Sequence, residues 1–265
     1  MMRLKFYIFL FIAGLVFYSC KRVIDLQLGN NSGKLVIEAN ITNNPGTQII
    51  KLSQNVALSN TNIYPPVTGA KVTVTDPFGN VYPFIEGIPG TYSNQNLNGK
   101  SGNNYTMRVT VNGTTYMAAS TMPNFVNLDS ITYKNDNFSS KAGQKQITVH
   151  FQDPANEPNQ YRLILYVNKK QVNSIFALND DFIDGRYVNL DFQQNSIDIF
   201  PGDTVFVEMD CIDKNNYTYW FSLQQQQVNG PGGGVTPSNP PTNISPFTLG
   251  YFSAHTAQIK TLIIK

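Results

Sequence analysis

Short segments in which apolar and polar residues alternate recur along most of this chain, and turn residues separate them. Residues 105–111 alternate in this way, and Asn112-Gly113 separates them from a second such segment that starts at residue 114. Asn-Gly is a strong hairpin signal, because a type I′ turn needs positive φ at both central residues. Alternation with a period of two gives each strand one core-facing side. The pattern therefore predicts an all-β protein built largely from hairpins.

The spacing of the turns predicts two β-sandwich-like parts. Residues 34–124 contain about seven predicted strands with frequent turns, which is typical of a small sandwich domain. Residues 121–124, Thr-Met-Pro-Asn, mark the junction. Residues 125–265 are predicted to form a second β-rich domain, which ends in two strands at residues 248–253 and 258–264. The sequence leaves open whether the two parts share one core.

One segment of the second part has a helical period instead. In residues 213–227, the aromatic side chains of Tyr217, Trp220 and Phe221 follow three- and four-residue spacing. Asp213 stands where an N-cap residue would accept the first free backbone amides. The sequence therefore predicts a single helix here, followed by a long loop rich in Gly and Pro.

The amino terminus has the pattern of a secretory signal peptide. Arg3 and Lys5 precede a mostly apolar, uncharged run at residues 6–17, which is shorter than the roughly 20 residues a spanning helix needs. Ser19 then precedes Cys20, as in a lipobox, where the cysteine is lipidated and becomes the new amino terminus. We predict a signal peptide at residues 1–19 and a lipidated tether at residues 20–33. The alternative is an ordinary signal peptide with a chance cysteine.

The charge and the cysteine content of the chain bear on three kinds of partner, namely nucleic acid, the membrane and a second cysteine. Cleavage before Cys20 would remove two basic residues and no acid, which leaves 17 of each sign and a formal charge of zero. A neutral chain with scattered charges has no electrostatic footprint for nucleic acid. The predicted link to the membrane is therefore the lipid anchor itself. With Cys20 lipidated, Cys211 has no disulfide partner, and its alternating segment predicts a buried core side chain.

Residues that could carry chemistry are sparse. His150 and His255 have no His or Cys at the spacing of zinc ligands. Asp180, Asp181 and Asp184 could offer oxygen ligands to calcium, but their spacing misses the EF-hand pattern, and Asp184-Gly185 is an ordinary turn. No nucleophile turn of the Gly-Xaa-Ser-Xaa-Gly type occurs. We therefore predict no cofactor and no enzymatic activity, with an unrecognised hydrolase as an alternative.

Three residues in or near predicted loops are candidates for binding a ligand or a partner. Tyr64 lies beside paired prolines, Trp220 lies in the predicted helix, and Pro231 lies in the loop at residues 229–246. Aromatic residues of this kind stack on sugars or pack on partners, but they also fill sandwich cores. Asp129-Ser130-Ile131 and Asp203-Thr204-Val205 match a short O-glycosylation pattern. Ser130 and Thr204 are accordingly candidate acceptors, which burial in a strand would block.

A series of motifs in a fixed order resembles a known family. They are residues 35–42 (LVIEANIT), 66–76 (PVTGAKVTVTD), 89–92 (PGTY), 127–131 (NLDSI), 151–154 (FQDP), 203–205 (DTV), 240–244 (PPTNI) and 249–252 (LGYF). The order resembles the Bacteroidota outer-membrane lipoproteins known as domain of unknown function 4249, and it covers nearly the whole mature chain. Residues 69–92 separately resemble the transthyretin-like regulatory module of carboxypeptidases, which implies an Ig-like or transthyretin-like sandwich.

The family resemblance implies an outer-membrane lipoprotein, often encoded beside TonB-dependent receptors, and it supplies no catalytic residues. Together with the anchor pattern, it predicts a non-catalytic accessory or binding component at the outer membrane that associates with such a receptor. The alternative is a surface protein that captures a glycan or a peptide. The sequence does not say which face of the membrane the protein occupies.

Overall fold

The strands of this protein form where the sequence alternates, and Gly, Asn, Asp and Pro turns end them. The computed structural model describes residues 32–57, 63–137, 139–193, 196–227 and 238–265, and Ser32–Lys265 form one unit. The predicted signal peptide and Cys20 lie outside these residues. At the hairpin turn, φ is +49° at Asn112 and +76° at Gly113, as predicted for Asn-Gly.

The described residues contain sixteen strands and one helix. The first seven strands are β1 (Leu35–Thr42), β2 (Gln48–Gln54), β3 (Lys71–Thr75), β4 (Val81–Glu86), β5 (Thr91–Asn94), β6 (Asn104–Val111) and β7 (Thr114–Thr121). They are followed by β8 (Leu128–Asn135), β9 (Lys145–Gln152), β10 (Gln160–Val167), β11 (Lys170–Gln171), β12 (Phe176–Asn179), β13 (Tyr187–Asp191), β14 (Thr204–Cys211), α1 (Lys214–Gln227), β15 (Ile244–Ser245) and β16 (Leu249–Ile263). The prediction of an all-β protein with one short helix is confirmed.

The strands form one large and one small sheet. The large sheet has the order β11-β10-β14-β16-β1-β2-β5-β4-β3-β6-β7-β15, and β12 also pairs with β10. The small sheet has the order β13-β9-β8. Because β1 and β16 are neighbours in the large sheet, the beginning and the end of the described chain lie side by side.

Buried side chains form two separate hydrophobic clusters. One contains residues from strands β1 to β7, Leu97 and Met122 from the adjoining loops, and Ile244, Phe252 and Ala254. The other runs from Val126 to Ile264 and includes the free Cys211, which is buried as the sequence predicted. The two clusters are thus distinct, and Ile244, Phe252 and Ala254, which belong to the second predicted part, pack in the core of the first. The division into a domain at residues 34–124 and a second at residues 125–265 stays a prediction.

Strand β16 corrects the prediction of two terminal strands, because it is a single strand of 15 residues. Its first half pairs in parallel with β1, and its second half pairs antiparallel with β14 from Thr256 onward. The alternation that marks a strand is lost here because every residue from Gly250 to Ala257 is buried. Phe252 and Ala254 face the first core, while Tyr251 and His255 lie on the opposite side of the strand.

The single helix begins one residue later than the predicted segment. Its first turn is capped by Asp213, whose Oδ1 accepts a hydrogen bond from the backbone amide of Asn216 at 2.9 Å. This confirms the predicted N-cap. Among the described residues, no helix has the length and apolar character that crossing a membrane requires.

Candidate binding cleft

The register of the large sheet brings distant polar residues together on one face. Glu38 of β1 lies opposite Tyr251 of β16 on one side and opposite Lys51 of β2 on the other. Arg162 of β10 lies opposite Asp210 of β14. Because neighbouring residues in paired strands point to the same face, these side chains share one surface. Helix α1 packs against this side of the sheet, through contacts with β10, β12 and β16.

Two adjoining cavities form a cleft on this surface. They have volumes of about 390 Å³ and 400 Å³, and both are lined by Glu38 and Tyr251. Their combined volume falls in the range of about 300–1,000 Å³ that ligand sites usually have. We refer to both cavities together as the cleft. Its lining residues are Glu38, Asn40, Thr42, Thr47, Gln48, Ile49, Lys51, Arg162, Leu163, Ile164, Gln171, Asn173, Ser174, Ile175, Trp220 and Tyr251.

Arg162 is held between an acid and an aromatic ring. Its guanidinium carbon lies 3.6 Å from the centroid of the Trp220 ring, and its Nη1 lies 3.8 Å from Oδ2 of Asp210. The Trp220 ring in turn meets Tyr251 at a centroid distance of 5.1 Å, and Tyr219 meets Tyr251 at 5.0 Å. A cation on an aromatic face and an ion pair together fix the position of the guanidinium. The cleft therefore has a wall that is ordered before any ligand arrives.

Burial shifts the pKa values of two ionisable side chains beneath this wall, Asp210 and His255. Asp210 is fully buried, which raises the pKa of its carboxyl to about 7 although Arg162 acts to lower it. Its Oδ1 has no hydrogen-bond partner in the part of the chain that the structure describes. Burial, together with the positive charge of Arg162, lowers the pKa of His255 to about 4. Burial thus disfavours the charged forms of both Asp210 and His255.

The structure places the three binding candidates from the sequence in different surroundings. Trp220 is half-buried and lines the cleft. Tyr64 is 54% exposed and lines neither of its cavities. Pro231 lies outside the described residues. Of the three, the structure thus brings Trp220 alone into this site.

Two of the three calcium candidates lie together. Carboxylate oxygens of Asp180 and Asp184 lie within 4.8 Å of each other and of Asp153, which the sequence did not identify. Asp181 instead accepts a hydrogen bond from Asn179 at 2.5 Å. Burial raises the pKa of Asp153, and the two neighbouring carboxylates add to this effect.

Hydrogen bonds to the backbone give this acidic cluster a structural explanation. Asp180 accepts from the amide of Asn159 at 2.8 Å, and Asp184 accepts from that of Asn156 at 2.7 Å. Asp153 accepts from the Tyr161 hydroxyl at 2.5 Å and from the Gly185 amide at 3.2 Å. These bonds join the loop after β9 to the loop before β13. Calcium binding stays a prediction.

The two candidate glycosylation acceptors both lie in strands. Ser130 is half-buried in β8, next to an irregularity in the pairing with β9. Thr204 is the half-buried first residue of β14, and its backbone amide donates to Oδ1 of Asn168 at 3.0 Å. Modification of either hydroxyl stays a prediction.

Sequence reasoning missed most of the cleft. Glu38, Arg162, Asn173 and Tyr251 belong to segments that lie far apart along the chain, so no local motif joins them. The one available signal was the alternation in β1, which places Glu38 on the face opposite the core. That signal predicts the face on which the Glu38 side chain lies, but it does not predict which residues lie beside it.

The fold and the cleft define the class of protein. It is an all-β protein with one helix, and its candidate site is a cleft lined by side chains on the face of a sheet. The model of the family described as Domain of unknown function (DUF4249) matches residues 21–261, so the chain belongs to this family. A search of curated proteins found no match.

Proposed function

We propose that this protein is a non-catalytic binding component of the outer membrane, anchored by a lipid on Cys20 and accessory to a TonB-dependent receptor. The observation that carries the binding role is the cleft, whose wall is fixed by the contacts of Arg162 with Trp220 and Asp210. Arg3, Lys5 and the apolar run before Cys20 support the anchor.

The chemistry of the cleft favours binding over catalysis. Glu38 is the one carboxylate among its described lining residues, and it is exposed. Acid–base hydrolysis of a glycosidic bond usually needs two carboxyl groups on opposite sides of the scissile bond. Asp210 lies behind Arg162 and is fully buried, so a ligand in the cleft would meet the guanidinium first. A site of this kind orients a bound molecule without activating a nucleophile.

One experiment on the full-length chain tests both the lipid anchor and the association with a receptor. We expect the wild-type protein to fractionate with outer membranes and to recover a TonB-dependent receptor after cross-linking, with reciprocal recovery from the tagged receptor. Cys20→Ala should block lipidation, because the thiol is the only group on that residue that can be alkylated. The variant should therefore lose membrane retention and receptor recovery.

The matched control is Cys211→Ala, which removes the buried thiol and leaves the anchor intact. If Cys20→Ala still fractionates with membranes as the wild type does, the anchor is wrong. If no TonB-dependent receptor is recovered reciprocally while the wild-type protein is membrane-bound, the accessory role is wrong.

A further inference from the structure

We infer that the cleft takes an uncharged polyhydroxylated ligand, in the form of a short oligosaccharide. This inference rests on the proposed binding function and adds a class of ligand to it. The juxtaposition that carries it is an aromatic wall, Trp220 with Tyr251, beside a floor of amide, hydroxyl and oppositely charged side chains.

The position of the cleft excludes recognition by strand addition at its floor. The floor strand β1 is paired on both sides, with β2 and β16, and β16 is paired with β1 and β14. The main-chain groups of these strands are therefore used in the ladder. An extended peptide that binds by β-augmentation needs a free strand edge. Recognition at this floor must come from side chains.

The polar side chains of the lining suit hydroxyl groups. Asn40, Gln171 and Asn173 carry amides, each of which both donates and accepts hydrogen bonds. Thr42, Thr47 and Ser174 carry hydroxyls with the same dual capacity. A sugar hydroxyl also donates and accepts, so many orientations of a polyhydroxylated molecule find partners here. A hydrocarbon ligand would leave these groups unpaired at a cost in free energy.

The cleft carries charges of both signs close together. Lys51 and Arg162 are positive, Glu38 is negative, and the carboxyl of Asp210 lies directly behind Arg162. Lys51 and Glu38 are opposite each other in the β1–β2 ladder, so their fields cancel in part. A site for a phosphorylated or polyanionic ligand would usually gather several positive groups with no carboxylate beside them. Charged hydrogen-bonding groups of both signs instead give strong, directional bonds to neutral hydroxyls.

Trp220, which is half-buried in the lining, supplies apolar surface for one face of a sugar ring, whereas Tyr251 is only 6% exposed and supports the Trp220 ring. Trp220 and Tyr251 meet at an interplanar angle of 66°, and Arg162 occupies a face of the Trp220 ring. Because the rings are held by each other and by Arg162, little side-chain entropy is lost on binding. Two adjoining cavities, joined at Glu38 and Tyr251, leave room for more than one sugar ring.

The test uses the full-length protein in detergent. It is applied to an array of short neutral oligosaccharides, matched acidic oligosaccharides and short peptides, and the affinity for the best probe is then measured by calorimetry. We expect a neutral oligosaccharide to bind. The double variant Glu38→Gln, Asn173→Ala should weaken it about tenfold or more, because both side chains are exposed at the cleft. Asn98→Ala, an exposed amide outside the cleft lining, should bind like the wild type.

Each of the other outcomes would overturn a specific part of the two proposals. If peptides or acidic sugars bind and lose affinity in the double variant, the ligand class is wrong while the binding function stands. If a neutral sugar binds and the double variant binds it equally well, the cleft is the wrong site. If no probe binds but the receptor is recovered reciprocally, the ligand inference fails and the accessory role stands. If neither occurs, both proposals are wrong.

Discussion

At the scale of single residues, the layer behind the cleft contains two groups whose pKa values move in opposite directions. Burial raises the pKa of Asp210 from 3.8 to about 7, so the folded state holds its proton over a range in which the unfolded state has lost it. Its contribution to stability is fully present below pH 3.8 and is lost as the pH rises towards 7. Burial lowers the pKa of His255 from 6.5 to about 4. Its contribution is present above pH 6.5 and is lost as the pH falls towards 4.

The two contributions offset each other between about pH 4 and 6.5, so single variants should expose each one. In Asp210→Asn, the free energy of unfolding relative to wild type should fall as the pH is lowered from 6.5 to 4. In His255→Gln, it should rise over the same range. Urea unfolding at several pH values measures both differences, to which Glu208 contributes because its pKa, also raised by burial, responds to Asp210 and His255. Parallel pH profiles for the two variants and the wild type would contradict this assignment.

At the scale of elements, glutamines at the end of α1 cover the outer edge of the large sheet. Gln224 Oε1 accepts from the amide of Ala177 at 2.7 Å. Gln227 accepts from the amide of Ile175 and donates to the carbonyl of Asn173, both at 2.8 Å. These side chains take the place of a further strand beside β12. They thus protect an edge on which another chain could otherwise pair.

The double variant Gln224→Ala, Gln227→Ala should lower the free energy of unfolding by about 1–2 kcal/mol, because three partly exposed hydrogen bonds are lost. The amides of Ile175 and Ala177 should exchange with deuterium faster. Gln225→Ala is the matched control, since it makes the same change in the same turn of the helix. Alanine favours a helix at least as well as glutamine, so a loss of stability cannot come from helix propensity. Equal stability of the double variant and the control would refute the role of the glutamines as an edge cover.

At the scale of the whole molecule, the beginning and the end of the described chain meet where β16 pairs in parallel with β1. Gly250 has a φ of +96°, and a Cβ at this position would lie 1.9 Å from the carbonyl oxygen of Ile37. Only glycine allows the two backbones to approach this closely. The contact holds together strands that are more than two hundred residues apart, and it helps to place Tyr251 beside Glu38.

Gly250→Ala should therefore destabilise the protein by at least about 3 kcal/mol, because it adds a backbone clash to an unfavourable φ. Gly102→Ala is the matched control: its φ is +80°, but a Cβ there meets nothing within 4 Å. Gly102→Ala should lose only the stability that corresponds to the strain of the left-handed conformation, about 1–2 kcal/mol. Thermal or urea unfolding of both variants compares them. Equal losses would mean that β1 and β16 do not approach as closely as described.

Local signals in the sequence were sufficient for most of the elements. The Asn112-Gly113 turn, the N-cap at Asp213 and the alternation in strands such as β1 and β6 were all predicted correctly, because each depends on residues close together in the chain. The alternation failed in β16, where both faces are covered and the pattern of exposed and buried residues disappears.

What the sequence determined by itself is thus the class of fold, the positions of most strands and the single helix. The order of strands, the continuity of β16 and the cleft were decided by the tertiary structure. The physical reason is the register: Glu38, Arg162, Trp220 and Tyr251 come from three strands and a helix, and only strand pairing and the packing of α1 place them side by side. Such non-local pairing leaves no mark in any short stretch of sequence.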